Sequence, residues 1–217
     1  AGVLAGAAVR RVQLGRRAMH LATLAARLSA AVTTVDVAAV LNAHASDSVG
    51  AMYASCRVVD WDRRVLDALT SLRPVPDAIA QRYASVSVDA PYPVSEAVRL
   101  NEPVWVTDLV DYARRFPAAV DDARGAGFGA VAAVPLHDSG GAVVGVLTMG
   151  WRNPTRFDEL MRSAVMTVAD LTAQTLERTR LSDARTTEAR ALAALAARLA
   201  TSVTRPEVAD AVRELVP

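Results

Sequence analysis

The stretch from Val131 to Trp151 constrains this chain more than any other. Val131-Ala-Ala-Val-Pro-Leu136 and Val143-Val-Gly-Val-Leu-Thr-Met149 are apolar runs rich in β-branched residues, separated by the turn formers His137-Asp-Ser-Gly-Gly141. Such a pair predicts a β-hairpin. Neither run alternates strictly between apolar and polar residues, so both are expected to be interior strands covered on both faces. After Phe157, Asp158 is placed to cap a long helix on which Leu160, Ala164, Val168 and Leu171 recur at helical spacing. That helix covers one face of the hairpin, and a second layer must cover the other.

The rest of the chain supplies candidates for that layer. Leu21, Leu24, Leu28 and Val32 share one helical face, and after the break at Thr33-Thr34 a second helix over Val37 to Ala43 is expected, capped by Asp36. Val49 to Val58 reads as a strand, with Met52, Ala54, Cys56 and Val58 on one face and Val49, Ala51 and Tyr53 on the other. Asp60-Trp-Asp62 turns the chain back into an antiparallel partner over Arg64 to Leu69, which Pro74 and Pro76 end before a short helix. A strand over Ser85 to Val88 and a helix from Pro93 to Leu100 follow, with Asn101 as a left-handed stop. Val104-Trp-Val106 is a short strand, Asp108 caps a helix running towards Arg115, and Pro117 begins a helical turn that Gly125 and Gly127 end. The fold class is α+β, a central antiparallel sheet of five or six strands with helices on both faces and long N- and C-terminal helices.

Val-Pro-Leu before the turn, Gly-Val-Leu after it and Phe157-Asp-Glu159 opening the helix resemble the closing third of a GAF domain. The resemblance continues upstream through Pro93-Val-Ser-Glu-Ala-Val-Arg-Leu-Asn-Glu-Pro-Val-Trp-Val-Thr-Asp108 and covers the chain from Leu21 to Leu181. It implies a sensory or regulatory module of a bacterial signalling protein, with a pocket between the sheet and the helices that cross it. By that resemblance the pocket draws on residues 83–128, where Tyr92, Trp105, Phe116 and Phe128 are the large side chains. Aromatic walls with a few polar groups suit a small planar ligand.

Several chemistries are excluded or unsupported. Every basic residue other than histidine is arginine, so Schiff-base catalysis, a P-loop and a protein-kinase lysine are all ruled out. The single cysteine, Cys56, allows no internal disulfide, suits a reducing cytoplasm, and reads as a buried thiol. A sulfoxide reductase of the same fold needs more than one cysteine to resolve its sulfenic acid. His20, His44 and His137 lack the spacing of a metal pair; any one could bind haem axially, but each reads as an ordinary helix or turn histidine, and Cys56 reads as a buried thiol and not a bilin attachment point, so neither haem nor a bilin is expected. Ser139 lies in a turn rather than a nucleophile elbow. Asn153 and Phe157 match part of the cyclic-nucleotide motif of GAF domains, but Pro154 stands where that motif has lysine, and Met161 and Arg162 where it has Asp-Glu. The ligand is therefore left unknown and no catalytic or metal site is expected. A formal charge of +1 with both signs interspersed argues against a nucleic-acid partner.

The organisation expected is an extension over 1–15, the sensor over 16–181, and a helical linker with the start of a second module over 182–217. The second module rests on a repeat: Leu21-Ala-Thr-Leu-Ala-Ala-Arg-Leu28 returns as Leu192-Ala-Ala-Leu-Ala-Ala-Arg-Leu199, and Val32-Thr33 with Val37-Ala38 returns as Val203-Thr204 with Val208-Ala209. An effector domain is expected beyond it in the same protein. The apolar opening stretch is shorter than the roughly 20 residues that span a bilayer, so no membrane contact is expected. The narrow stripes Leu21, Leu24, Leu28 and Leu192, Leu195, Leu199 suit helix pairing in a homodimer. The competing reading is a dimerisation spacer that binds nothing. A pocket packed with Trp105, Phe116 and Phe128 would favour the spacer; one of about 300 Å³ or more would favour the sensor.

Overall fold

The computed structural model describes residues 2–69 and 75–203. Contacts divide the chain into two units, Ala1–Glu177 and Arg178–Pro217. The repeat residues Thr204, Val208 and Ala209 lie outside the described residues.

The first unit is built on the hairpin. β5 (Ala130–His137) and β6 (Val143–Trp151) pair antiparallel, with Val134 opposite Leu147 and Ala132 opposite Met149. β1 (Tyr53–Asp60) pairs with the other edge of β6, so that Cys56 faces Leu147 and Ser55 faces Thr148. β2 (Val65–Ala68), β3 (Ser85–Ser87) and β4 (Val104–Val106) complete six strands in the order β3-β2-β1-β6-β5-β4. β6 and β1 are thus the two middle strands. The absence of alternation in the hairpin follows from this position, since both of its faces are covered.

One face is closed by α1 (Gly2–Ala30), α2 (Thr34–Val40) and the first turns of α8 (Glu159–Val203). Their buried residues, among them Leu24, Leu28, Val37, Val165, Val168 and Leu176, form one cluster with Ala54, Cys56, Leu147 and Met149. The opposite face carries α4 (Asp77–Arg82), α5 (Pro93–Leu100), α6 (Leu109–Arg115) and α7 (Val120–Gly125). Val94, Val98, Phe116 and Ala123 pack there on Val106, Val131 and Val146.

Local signals behave as their chemistry requires. Asn101 ends α5 at φ 54°, and Asp108 caps α6 by accepting from the backbone N–H groups of Val110 and Asp111. Asp158 accepts from Met161 N at 2.8 Å at the start of α8.

Three boundaries differ from expectation. Thr33, not Asp36, is the N-cap of α2; Asp36 sits at the third helical position and returns a bond to the Thr33 N–H at 2.8 Å, completing a capping box. The helix does not simply run to Ala43: Leu41–Ala45 widens into a π turn and α3 (Ser46–Val49) follows, so Val49 is helical and the strand starts at Tyr53. Pro117 precedes rather than opens a helix, because α7 begins at Val120.

The second unit contains the remainder of α8, where Leu192 and Leu195 are exposed. No helix among the described residues is long and apolar enough to cross a membrane.

Candidate ligand cavity

A cavity of about 80 Å³ lies between the middle of the sheet and α4–α7. Its floor is the strip Tyr53, Ser55 and Arg57 of β1 with Thr148 of β6, and its walls include Tyr83, Tyr92, Tyr112 and Phe128. All four tyrosines of the chain line it. Burial raises the pKa of Tyr53, Tyr83 and Tyr112 well above the ordinary phenol value, so those three remain neutral donors at physiological pH.

The walls are fixed by local contacts. Tyr83 donates its hydroxyl to Asp122 at 3.0 Å, and Arg82 pairs with the same carboxylate at 2.7 Å, tying α4 to α7. Tyr83 stacks on Tyr92 with ring centroids 5.1 Å apart. Gly127 at φ 77° turns the chain so that Phe128 lies against Gly150, where a Cβ would come within 2.7 Å of the ring. Phe128 in turn touches Tyr53, 5.4 Å between centroids.

The floor is chemically unusual. Arg57 is 4% exposed, and among the described residues its guanidinium makes one hydrogen bond, from Nη1 to the Tyr83 carbonyl. Arg57 Nε, Ser55 Oγ and Thr148 Oγ1 are buried without a hydrogen-bond partner. Burial lowers the pKa of Arg57 from the usual arginine value, because a cation kept from water is disfavoured. Asp67 attracts it from a distance, yet that carboxylate is held by Arg63 at 3.2 Å. Buried polar groups in folded proteins are nearly always paired, so three unpaired atoms around one cavity mark it out.

Of the four aromatic residues expected to form the pocket, Tyr92 and Phe128 line it and Trp105 and Phe116 do not. Trp105 lies opposite Ala132 in the β4–β5 register, which turns it to the closed face, against Phe157 at 5.1 Å and beneath Arg162. Phe116 is 1% exposed in the helical layer, edge-on to Tyr112. Of the leucines expected on dimer helices, Leu24 and Leu28 are buried in the closed-face core and Leu21 packs against it, whereas Leu192 and Leu195 are exposed. The Leu199 side chain lies outside the described residues.

The sequence reading missed Ser55, Arg57 and Thr148. A signal for them exists: in Tyr53-Ala-Ser-Cys-Arg57 the polar residues take alternate positions on what must be a covered strand, and Thr148 is the only hydroxyl in β6. Cys56 points to the opposite face, 1% exposed. Ser139 is a turn residue whose hydroxyl donates to Glu177, and His137 pairs with Asn101. Among the described residues no group of three His, Cys, Asp or Glu could hold a metal.

The sequence matches the profile of the GAF domain over residues 31–177, which span the sheet and the helices packed on it apart from α1. The chain belongs to the GAF domain family. Solved structures agree with this at the level of fold. The GAF domain of an Acinetobacter phosphoenolpyruvate-protein phosphotransferase is 15% identical, with 77% of this chain and 96% of that one covered at a TM-score of 0.62. A free methionine-R-sulfoxide reductase from Neisseria meningitidis, solved with its substrate, is 16% identical, covering 76% and 93% at a TM-score of 0.60. A domain of a two-component sensor histidine kinase protein from Sinorhizobium meliloti is 18% identical, covering 69% and 94% at a TM-score of 0.54. No curated protein matches the chain. GAF domains are commonly sensory or regulatory parts of signalling proteins, and that is the setting in which this cavity is to be read.

Proposed function

We propose that this GAF domain is a non-catalytic sensor in a cytoplasmic bacterial signalling protein. A small molecule binds in the cavity over β1 and β6, and its presence biases the terminal helices that lead to an effector in the same protein. The observation that carries the reading is the unpaired polar floor under a tyrosine-lined cavity. Each buried unpaired polar atom costs about 1–3 kcal/mol, a burden that a spacer binding nothing has no reason to retain. A ligand shifts the helices only by its difference in affinity for their two arrangements, typically about 1–3 kcal/mol.

A sensor is favoured over a sulfoxide reductase because the one cysteine, Cys56, lies on the sheet face away from the cavity. The exposed Leu192 and Leu195 support helix pairing in a homodimer through the C-terminal helix. The cavity volume favours the spacer reading to a degree, since pockets for drug-sized ligands run to about 300–1,000 Å³. It limits the ligand to a few heavy atoms.

Native mass spectrometry of the 217-residue chain, with a thermal-shift screen of small metabolites, tests the proposal. The expected result is a dimer whose protomers each carry or accept one small molecule. A chain that retains nothing and whose Tm no compound raises is a spacer.

A further inference from the structure

We infer that the cavity takes a compact molecule with a planar oxyanion head, held on the free Nε–Nη2 edge of Arg57 with the hydroxyls of Ser55 and Thr148 beside it. This deepens the sensor reading and rests on it.

The geometry of arginine supplies the first step. With Nη1 committed to the Tyr83 carbonyl, the edge formed by Nε and Nη2 is the one left over. That edge is the fork that receives a carboxylate through two parallel, charge-assisted bonds. Arg57 forms no ion pair with any described carboxylate, and Asp67 attracts it only from a distance, so its charge is only partly compensated inside the protein. A buried cation of this kind gains most from an anion that enters with the ligand.

The second step concerns the neighbours. Ser55 lies two residues before Arg57 on the same strand face, and Thr148 is its cross-strand partner. Neither hydroxyl makes a well-formed hydrogen bond within the protein, although the Tyr53 hydroxyl lies near enough to Ser55 to interact with it, and either can donate to an oxyanion. Asp122 also lines the cavity, where Arg82 and the Tyr83 hydroxyl offset part of its charge; the rest still acts on Tyr83 and Tyr112, so the anion head is placed at the Arg57 floor and not at the α7 wall.

The third step is size. At about 80 Å³ the cavity excludes a nucleotide and accommodates a short carboxylic acid or an inorganic ion of similar shape. The tyrosine rings around it suit a short apolar tail.

Isothermal titration at constant ionic strength tests this with acetate, lactate, pyruvate and 2-oxobutyrate, with nitrate and bicarbonate, and with the neutral amides of the same acids. Anions are expected to bind saturably, and each amide roughly 10- to 100-fold more weakly than its acid, the range expected for lost charged hydrogen bonds. Preference for the acids over nitrate and bicarbonate assigns the site to an organic acid, and the reverse to an inorganic ion. Arg57→Met abolishes binding. Arg57→Lys weakens it at least about tenfold, because lysine keeps the charge and loses the fork. Should Arg57→Met not fold, the pair Ser55→Ala and Thr148→Val carries the test, each lowering anion affinity severalfold.

Equal binding of acid and amide, or unchanged anion affinity in the variants, overturns the inference. A neutral compound found in the metabolite screen, binding Arg57→Met as well as the original chain, also overturns it while leaving the sensor standing. If no compound of any charge binds, both fail together.

Discussion

The two faces of the central sheet differ in how completely they are satisfied. On the closed face Ala54, Cys56, Leu147 and Met149 meet α1, α2 and α8 in a continuous apolar cluster. On the other face the same two strands present Ser55, Arg57 and Thr148 to a cavity, with Ser55 Oγ, Arg57 Nε and Thr148 Oγ1 buried and without a well-formed hydrogen bond. Strand pairing is equally regular on both, because the ladder from Tyr53–Gly150 to Val58–Gly145 is shared. The difference lies wholly in side chains. Both faces carry apolar cores, but only the second gives up stability at its middle strands, where a ligand can restore it.

The comparison is tested most severely by deleting volume from the closed face. Leu147→Ala removes a fully buried side chain and is expected to cost about 2–5 kcal/mol in urea unfolding. A loss under 1 kcal/mol would mean that the closed face is as loosely packed as the other. Next in size is a pair of identical changes along β6. At Gly145 an added Cβ would stand 2.3 Å from the Arg57 carbonyl oxygen, which is backbone of the paired strand and cannot move alone. Gly145→Ala is expected to cost about 1–3 kcal/mol. At Gly150 the obstacle is the Phe128 ring, a side chain bordering the cavity and not paired backbone, so Gly150→Ala should cost less than Gly145→Ala and reduce ligand binding. Equal costs at the two glycines would show that the cavity wall is rigid.

Much of this architecture was legible in the residues. The hairpin, the stop at Asn101 and the caps at Asp108 and Asp158 are local decisions, made by side chains within a few positions of their effect. What could not be read were facts about register and layer. Trp105 lies among pocket residues in sequence, and only its pairing with Ala132 reveals that it faces away. Leu24 and Leu28 form a stripe narrow enough for a helix pair, but the sheet they cover is contributed by β1, β5 and β6, far along the chain. Arg57 and Ser55 escaped because a polar residue in a strand is ordinarily assigned to solvent. The rule fails when the strand is a middle one with helices on both sides.

The capping box belongs to the closed-face layer and offers a smaller, local probe. Thr33→Ala removes the N-cap of α2 and is expected to lower stability by about 1 kcal/mol. Its partner adds a pH dependence. The Asp36 pKa is lowered, chiefly by the backbone bond from Thr33, so ionised Asp36 stabilises the fold above the unfolded carboxylate value near 3.9. That contribution is lost as pH falls through the depressed folded value. The stability gap between the original chain and Asp36→Asn should therefore be constant above about pH 5 and close at lower pH, as measured by urea midpoints.

The smallest expected effect is also the one whose sign decides the comparison. Thr148→Val exchanges a hydroxyl for a methyl of nearly the same shape on the cavity face. In a satisfied core this loses a hydrogen bond and destabilises by about 1 kcal/mol. Here Thr148 Oγ1 has no partner, so the substitution deletes a desolvation cost and no bond. Stability without added ligand should rise slightly or stay within about 0.5 kcal/mol, while anion affinity falls. Stability and binding would thus move independently, as they must if the floor is kept polar for a ligand. A clear loss of stability would show that Thr148 already has a partner within the protein, and the two faces would then differ only in composition.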